Sequence, residues 1–309
     1  MTSMRIQLKG IAMIKFPKTP YLIKPKSGFK VVDAHCKPLD DVTEQSKALK
    51  KELKKLRKEI SVLQHRLYAE DKNALLLVFQ AMDAAGKDST IRAVLSGVNP
   101  AGCHVSSFKK PSAEELDHDY LWRSAIRLPE RGRIGVFNRS YYEETLVVRV
   151  HPNYLQYQRL AGLPDTLSEK SLESFWGERF ESINDHEKHL TRNGTVIIKF
   201  WLNVSKDEQK KRFLSRLNEP EKYWKFDSGD LKERALWDDY MHAYEEMLNA
   251  TSTVNAPWYA IPADNKLFMR VEVARTIVAT LKAMNPQFPD VDKDELAKFD
   301  EMRGQLKGE

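Results

Sequence analysis

Apolar residues recur along this chain in two rhythms. Between Asp41 and Tyr68, the positions Leu49, Leu53, Leu56, Ile60, Leu63 and Leu67 alternate steps of four and three, which sets them on one stripe of a charged helix. The stripe is expected to pack on the main domain. A self-association seam is the alternative, and a homo-oligomer is the expected state. From residue 74 the rhythm changes. Ala74 to Phe79 is a continuous apolar run, the mark of a strand buried on both faces. Further strands are predicted at Cys103 to Phe108, Arg133 to Phe137, Thr195 to Leu202 and Trp258 to Ile261. Helical patterns lie between and after them: Thr90 to Ser96, Ala113 to Arg127, Tyr141 to Arg149, Ser168 to Leu190, Lys206 to Leu217, Leu231 to Leu248 and Leu267 to Met284.

Five strands separated by helices imply right-handed crossovers and a mainly parallel sheet covered on both sides, an α/β fold. The first forty residues, punctuated by Pro17, Pro20, Pro25 and Pro38, read as an arm on the surface. The chain thus divides into an N-terminal arm and charged helix (1–70), one α/β domain (71–285) with a helical insertion at about 151–192, and a C-terminal tail (286–309).

Composition changes the picture only modestly. The 309 residues carry 50 Lys+Arg against 44 Asp+Glu, a net charge of +6, which favours an anionic partner without saying which. No run approaches the ~20 apolar residues of a membrane span, and the N-terminus lacks a signal-peptide pattern. Two widely separated cysteines, Cys36 and Cys103, suit a reducing cytoplasm.

The chemistry begins where the first strand ends. Gln80 to Thr90 nearly follows the Walker A pattern: Ala81 replaces the first glycine and Asp88 the Ser/Thr, while Gly86 and Lys87 are kept. A tight turn after a buried strand aims successive N–H groups inward, and the following helix adds its positive end. Ala84, Ala85, Gly86, Lys87, Asp88 and Ser89 therefore form a candidate phosphate loop. Asp83 is the oddity. A carboxylate in an anion-binding turn repels phosphate unless neutralised, and magnesium takes carboxylate and phosphate oxygens together; the bland alternative is an aspartate that stabilises the turn. A second strand end, Phe137-Asn138-Arg139, offers a neutral oxygen at Asn138 and a bidentate phosphate grip at Arg139. Glu143, about one turn on, would restore negative charge. Lys109, Arg149, Lys199, Arg212 and Arg216 are candidates for further phosphate contacts. No aromatic ladder interleaves with the basic residues as a single-strand nucleic-acid groove would require, so no nucleic-acid partner is expected.

Several ordered segments resemble the polyphosphate kinase 2 family: Ala81 to Thr90, His118 to Arg123, Phe137 to Glu143, Val147 to Pro152, Lys199 to Leu202, Trp224 to Asp227, Gly229 to Arg234, Thr251 to Thr253 and Ala256 to Trp258. The resemblance covers roughly residues 70 to 285. It implies a three-layer α/β/α P-loop kinase-like sandwich, a five-stranded parallel sheet of order 2-3-1-4-5 and a helical lid at about Lys206 to Arg234. It further implies magnesium-dependent phosphoryl transfer from inorganic polyphosphate to nucleotides. The family's aspartate and lysine of the first loop fall on Asp83 and Lys87. Its second strand end carries Asp-Arg in many members, where this chain has Asn138-Arg139. Glu143 matches a glutamate of the family's third class, whose members act on nucleoside mono- and diphosphates, so AMP and ADP are the expected acceptors and ADP and ATP the products. On this basis Asp83, Lys87 and Arg139 are the expected catalytic residues, Asn138, Arg139 and Glu143 the nucleotide contacts, and Asp83 and Glu143 the metal ligands. The rival readings are an ATP-dependent small-molecule kinase of the same fold and a non-catalytic anion- or RNA-binding protein.

Overall fold

The apolar run at 74–80 becomes a central strand in the computed structural model, which describes residues 14–39, 45–164 and 166–308. Six strands form one sheet: β1 (Leu22–Ile23), β2 (Ala74–Gln80), β3 (Cys103–Ser107), β4 (Ile134–Asn138), β5 (Thr195–Asn203) and β6 (Trp258–Pro262). Their order is β1-β6-β5-β2-β4-β3. Every residue of β2, β5 and β6 is buried, as strands covered on both faces must be. All pairings are parallel except that of β1 with β6. The sheet therefore differs in strand count and order from the expected five-stranded one. The arm supplies the difference. Leu22 pairs with Tyr259 and Ile23 with Trp258, while Ala260 N–H donates to the Tyr21 carbonyl at 2.8 Å. Tyr21 and Ile23 are buried, so this part of the arm belongs to the core and does not merely lie on the surface.

Among the described residues the helices are α1 (Ser46–Glu70), α2 (Lys87–Val94), α3 (Ala113–Asp117), α4 (Trp122–Ala125), α5 (Val147–Val150), α6 (Glu173–Arg192), α7 (Lys206–Asn218), α8 (Gly229–Ala235), α9 (Trp237–Thr251), α10 (Lys266–Met284) and α11 (Lys293–Gly308). The expected start of the charged helix at Asp41 lies outside the described residues. The leucine stripe of α1 is buried and packs on α10, where Glu52 pairs with Arg275 at 2.6 Å and Glu59 with Lys282 at 2.6 Å. That burial within one chain replaces the self-association seam. No residue of α11 is buried.

Several helices are shorter than their periodicity suggested. The single helix expected at 113–127 is two, because Asp119 restarts the chain: its side chain accepts the Leu121 N–H at 2.8 Å and its carbonyl the Trp122 N–H at 2.9 Å. The stretch 141–149 opens as a 3-10 turn, Tyr141–Thr145, whose tightness sends both Tyr141 and Tyr142 into the core. No helix among the described residues is long and apolar enough to cross a membrane.

Candidate active site

Strand register builds the site. Phe79, Asn138 and Ser107 lie side by side at the carboxyl ends of β2, β4 and β3, so the chain leaving β2 and the chain leaving β4 emerge together. Arg139 N–H donates to the Phe79 carbonyl at 3.0 Å and fixes the junction. Ala84 and Arg139 both hold left-handed backbone, φ 61° and 62°, a conformation that costs a non-glycine residue free energy and clusters at functional sites. Gly86, at φ 104°, lies where an L side chain is strained, and it caps α2.

The loop is held open from behind by α7. Arg212 donates to the carbonyls of Ala84 (3.1 Å), Ala85 (2.6 Å), Ala263 (2.6 Å) and Asp264 (3.1 Å), and its Nε donates to Glu208 at 2.8 Å. All five guanidinium protons are thereby engaged. Gln209 donates to the Asp83 carbonyl at 3.0 Å. Drawing loop carbonyls outward favours N–H groups facing the cleft, where the first N–H groups of α2 also lack intrahelical partners. Arg212, expected to hold phosphate, instead positions the loop.

Around this loop lies a cleft of about 760 Å³ whose lining includes nine cations and three carboxylates. Lys87, Lys109, Arg139, Arg212 and Arg216 were anticipated. Lys211, Lys222, Lys225 and Lys266 were not. Lys87 is buried and donates to the Ala81 carbonyl at 2.6 Å, leaving two ammonium protons for a ligand. Its pKa is lowered, first by burial and then by Arg139, with Asp83, Glu143 and Asp88 opposing. Asp83 pairs with Arg139 at 2.9 Å. The Asn138 amide donates to the Asp88 carboxylate and, at 3.3 Å, to Ser107, so the asparagine braces the loop's mouth. Ser89 donates its hydroxyl back to the Gly86 carbonyl at 3.0 Å.

A second cavity, of about 280 Å³, opens on the other side of Arg139. It is shared with the cleft at Lys109 and Arg139 and is walled by Tyr120, Tyr154 and Tyr157. Glu143 reaches both this cavity and a small gap of about 30 Å³ beside Asp83, Tyr240 and Tyr244. Burial raises the Glu143 pKa, while Arg139 and Lys87 pull it back. Glu143 in turn is the main cause of the raised Arg139 pKa. Glu144 is different: it pairs with buried Arg179 at 2.7 Å and accepts from Gln158, a structural role.

Two expected phosphate contacts lie elsewhere. Lys199 has no exposed surface, and its ammonium donates to Glu187 (2.6 Å), Tyr142 (2.8 Å) and the Thr251 carbonyl (2.8 Å). Arg149 pairs with Glu246 on α9, stacks 5.6 Å from the Trp176 ring, and lines neither cavity. Both are structural cations. The missed lysine on α7 carried a readable signal: Glu208, Lys211, Arg212, Ser215 and Arg216 follow helical spacing and share one face.

Residues 43–289 match the polyphosphate kinase 2 family. The chain belongs to this family. Its fold is similar to that of a polyphosphate kinase 2 crystal structure from Arthrobacter aurescens TC1, at TM-score 0.81 and 36% identity over 97% of this chain and 100% of that one. Among polyphosphate kinase 2 relatives, an ADP-polyphosphate phosphotransferase of Rhodopseudomonas palustris is 54% identical over 80% of this chain and 84% of its own length. An AMP/ADP-polyphosphate phosphotransferase of Meiothermus ruber is 44% identical over 76% and 81%.

Proposed function

We propose that the protein transfers a phosphoryl group from inorganic polyphosphate to AMP and ADP. The observation that carries this reading is the meeting of two unlike cavities at Arg139. One is a cation-lined cleft suited to a polyanion; the other is a smaller, tyrosine-walled space suited to a nucleoside. A guanidinium between them faces the point where the terminal phosphates of both substrates would meet.

The reaction is an in-line displacement. A terminal oxygen of the nucleotide attacks the end phosphorus of the polymer, a new P–O bond forms, and the bridging P–O bond to the rest of the chain breaks. Such transfers need positioning and charge neutralisation more than covalent help from the protein. Lys87 and Arg139 hold the transferring group, and the loop N–H groups cradle it. The helices α7 and α8, with the intervening 3-10 turn Pro220–Lys225, form the lid that excludes water. The anhydride broken resembles the one made, so the reaction runs in both directions.

Magnesium fits the donor set. Asp83 and Glu143 face one small gap beside the loop with hard oxygen donors. No cluster of three or more His, Cys, Asp or Glu residues suited to a metal occurs among the described residues, so the ion would complete its shell with phosphate oxygens and water. When bound it supplies neutralisation of the clustered phosphate charge. Two unpaired cysteines suit the cytoplasm as the place of action.

Purified protein with polyphosphate, magnesium and either AMP or ADP tests the reading, with ADP and ATP as the measured products. Turnover with ATP as the sole effective donor would make this a conventional kinase. Polyanion binding without turnover, and with a steep salt slope, would make it a binding protein. AMP is the sharper acceptor test, since the Rhodopseudomonas relative is named for ADP alone.

A further inference from the structure

Several cations at the mouth of the cleft are paired with carboxylates. Arg139 meets Asp83, Arg216 meets Asp230 at 3.1 Å, and Lys222 meets Glu219. One group is not. Lys266 stands at the start of α10 and lines the cleft, Arg270 follows one helical turn later, and Arg92 lies on α2, which packs against α10. None of the three forms an ion pair or side-chain hydrogen bond with another described residue, and the Arg270 Nε is buried without a partner. Burial lowers the pKa of Lys266 and of Arg270, and neighbouring cations lower both further: Arg212, Lys222 and Arg270 act on Lys266, and Arg92 and Arg212 on Arg270. Glu208 opposes this at Lys266 and Glu219 also feels the Lys266 charge, but the two carboxylates are already bonded to Arg212 and Lys222. Unpaired cations in a row leading away from a polyanion cleft present a field complementary to an anion of matching extent.

We propose that this strip is a binding track for the polymer: polyphosphate beyond the reacting end leaves the cleft over Lys266, Arg270 and Arg92, along the seam of α10 and α2. The inference rests on the polyphosphate reaction proposed above. Phosphoryl transfer involves only the chain's end, so the track contributes uniform binding of long donors and lowers KM without touching kcat. It releases counterions from the polymer as any cation row on a linear polyanion does. Phe268 and Met269, between the two α10 cations, are buried, so no ring stands on the strip for a base to stack on. That favours polyphosphate over single-stranded RNA.

The test is the double variant Arg92→Gln/Arg270→Gln, compared with wild type and with Lys50→Gln/Lys54→Gln, which removes two exposed charges from α1. Binding and KM are measured with long-chain polyphosphate and with linear tetraphosphate, the latter as donor or as competitive inhibitor, and RNA is added as competitor. Roughly threefold weakening per removed surface cation gives about a tenfold rise in Kd and KM for the long polymer. Unchanged kcat, unchanged tetraphosphate affinity and an unaffected α1 control complete the expected result. An equal loss on tetraphosphate, no loss on the long polymer, the same loss in the control, or displacement of the polymer by RNA that depends on these two arginines would overturn the track. If the wild type turns over while the double variant is normal, the track alone fails; absence of polyphosphate-dependent turnover in the wild type refutes the underlying function.

Discussion

Lys199→Met separates a phosphate contact from a buried structural cation. Lys199 and Glu187 are 0% and 1% exposed, 2.6 Å apart, and Glu187 also accepts the hydroxyls of Tyr141 and Tyr142 at 2.8 Å each. Removing the ammonium leaves a buried carboxylate with two neutral donors and strips the Thr251 carbonyl of a partner. Breaking one side of such a pair costs about 3–5 kcal/mol. An entropy of unfolding near 2.1 cal/mol/K per residue gives roughly 0.65 kcal/mol/K for a chain of this length, so Tm should fall by about 5–8 °C. Calorimetry measures that fall. Steady-state kinetics well below the transition should show KM for polyphosphate within about twofold of wild type, because the ammonium lies outside both cavities. A second variant, Lys199→Met/Glu187→Gln, should recover part of the loss by removing the unpaired charge.

The pH dependence carries the same signature. Burial, partly offset by Glu187, pushes the Lys199 pKa down from 10.5 to about 8. Between those values the unfolded chain holds a proton that the native state does not, so wild-type stability relative to Lys199→Met rises with pH across that window. A tenfold rise in KM with an unchanged Tm would refute this account and return Lys199 to the phosphate site.

Four other substitutions probe the loop and its neighbours. Lys87→Met should lower turnover by about 10²–10³-fold while moving Tm by no more than about 2 °C, since Lys87 lies beside the repelling charge of Arg139; near-normal activity would remove the lysine from the mechanism. Asp83→Asn should weaken the apparent magnesium affinity roughly tenfold as well as the rate, whereas a lower rate with unchanged magnesium dependence would leave Asp83 only the task of holding Arg139. Glu143→Asn should lose about tenfold more rate with AMP than with ADP, a difference near 1.4 kcal/mol in activation free energy; equal losses would place acceptor choice elsewhere. Arg212→Lys retains the charge but not the five-donor fork, and should lower kcat by about 10²-fold; a fully active Arg212→Lys enzyme would mean that charge, and not the clamp on the loop carbonyls, is what the site uses.

The parts legible in the sequence are those made by contiguous residues. A buried strand, a small-residue turn and a helix lie within Ala74 to Ser96, and the second strand end is written in five residues around Asn138. The structural role of Lys199 also has a signal in the sequence, though not one that its charge alone reveals. A lysine within an unbroken apolar strand that is covered on both faces must itself be buried, and a buried ammonium needs a carboxylate partner. What the sequence withholds is which distant element supplies that partner, here Glu187 on α6. The edge strand β1 was illegible for another reason: two residues, Leu22 and Ile23, have no period to detect, and the prolines at 20 and 25 flank them like loop punctuation. The tyrosine-walled cavity draws on 109–123, 139–148 and 154–158, segments joined only by folding.

Arg139 shows how these levels meet. Its position follows from register: β4 pairs with β2 so that Phe79 lies opposite Asn138, and the next residue must turn out of the sheet beside the phosphate loop. Its left-handed backbone makes that turn within a single residue. The resulting guanidinium is ion-paired to Asp83 and lies in the field of Glu143, a carboxylate from the other strand end, at the boundary of the cleft and the tyrosine-walled cavity. A lysine there would keep one charge but could not present donors to two cavities in one plane. The same geometry explains why Asn138 can replace a carboxylate. With Asp83 and Glu143 already flanking Arg139, a third acid would add repulsion next to Asp88, whereas the asparagine amide donates to Asp88 and closes the loop's mouth with a hydrogen bond.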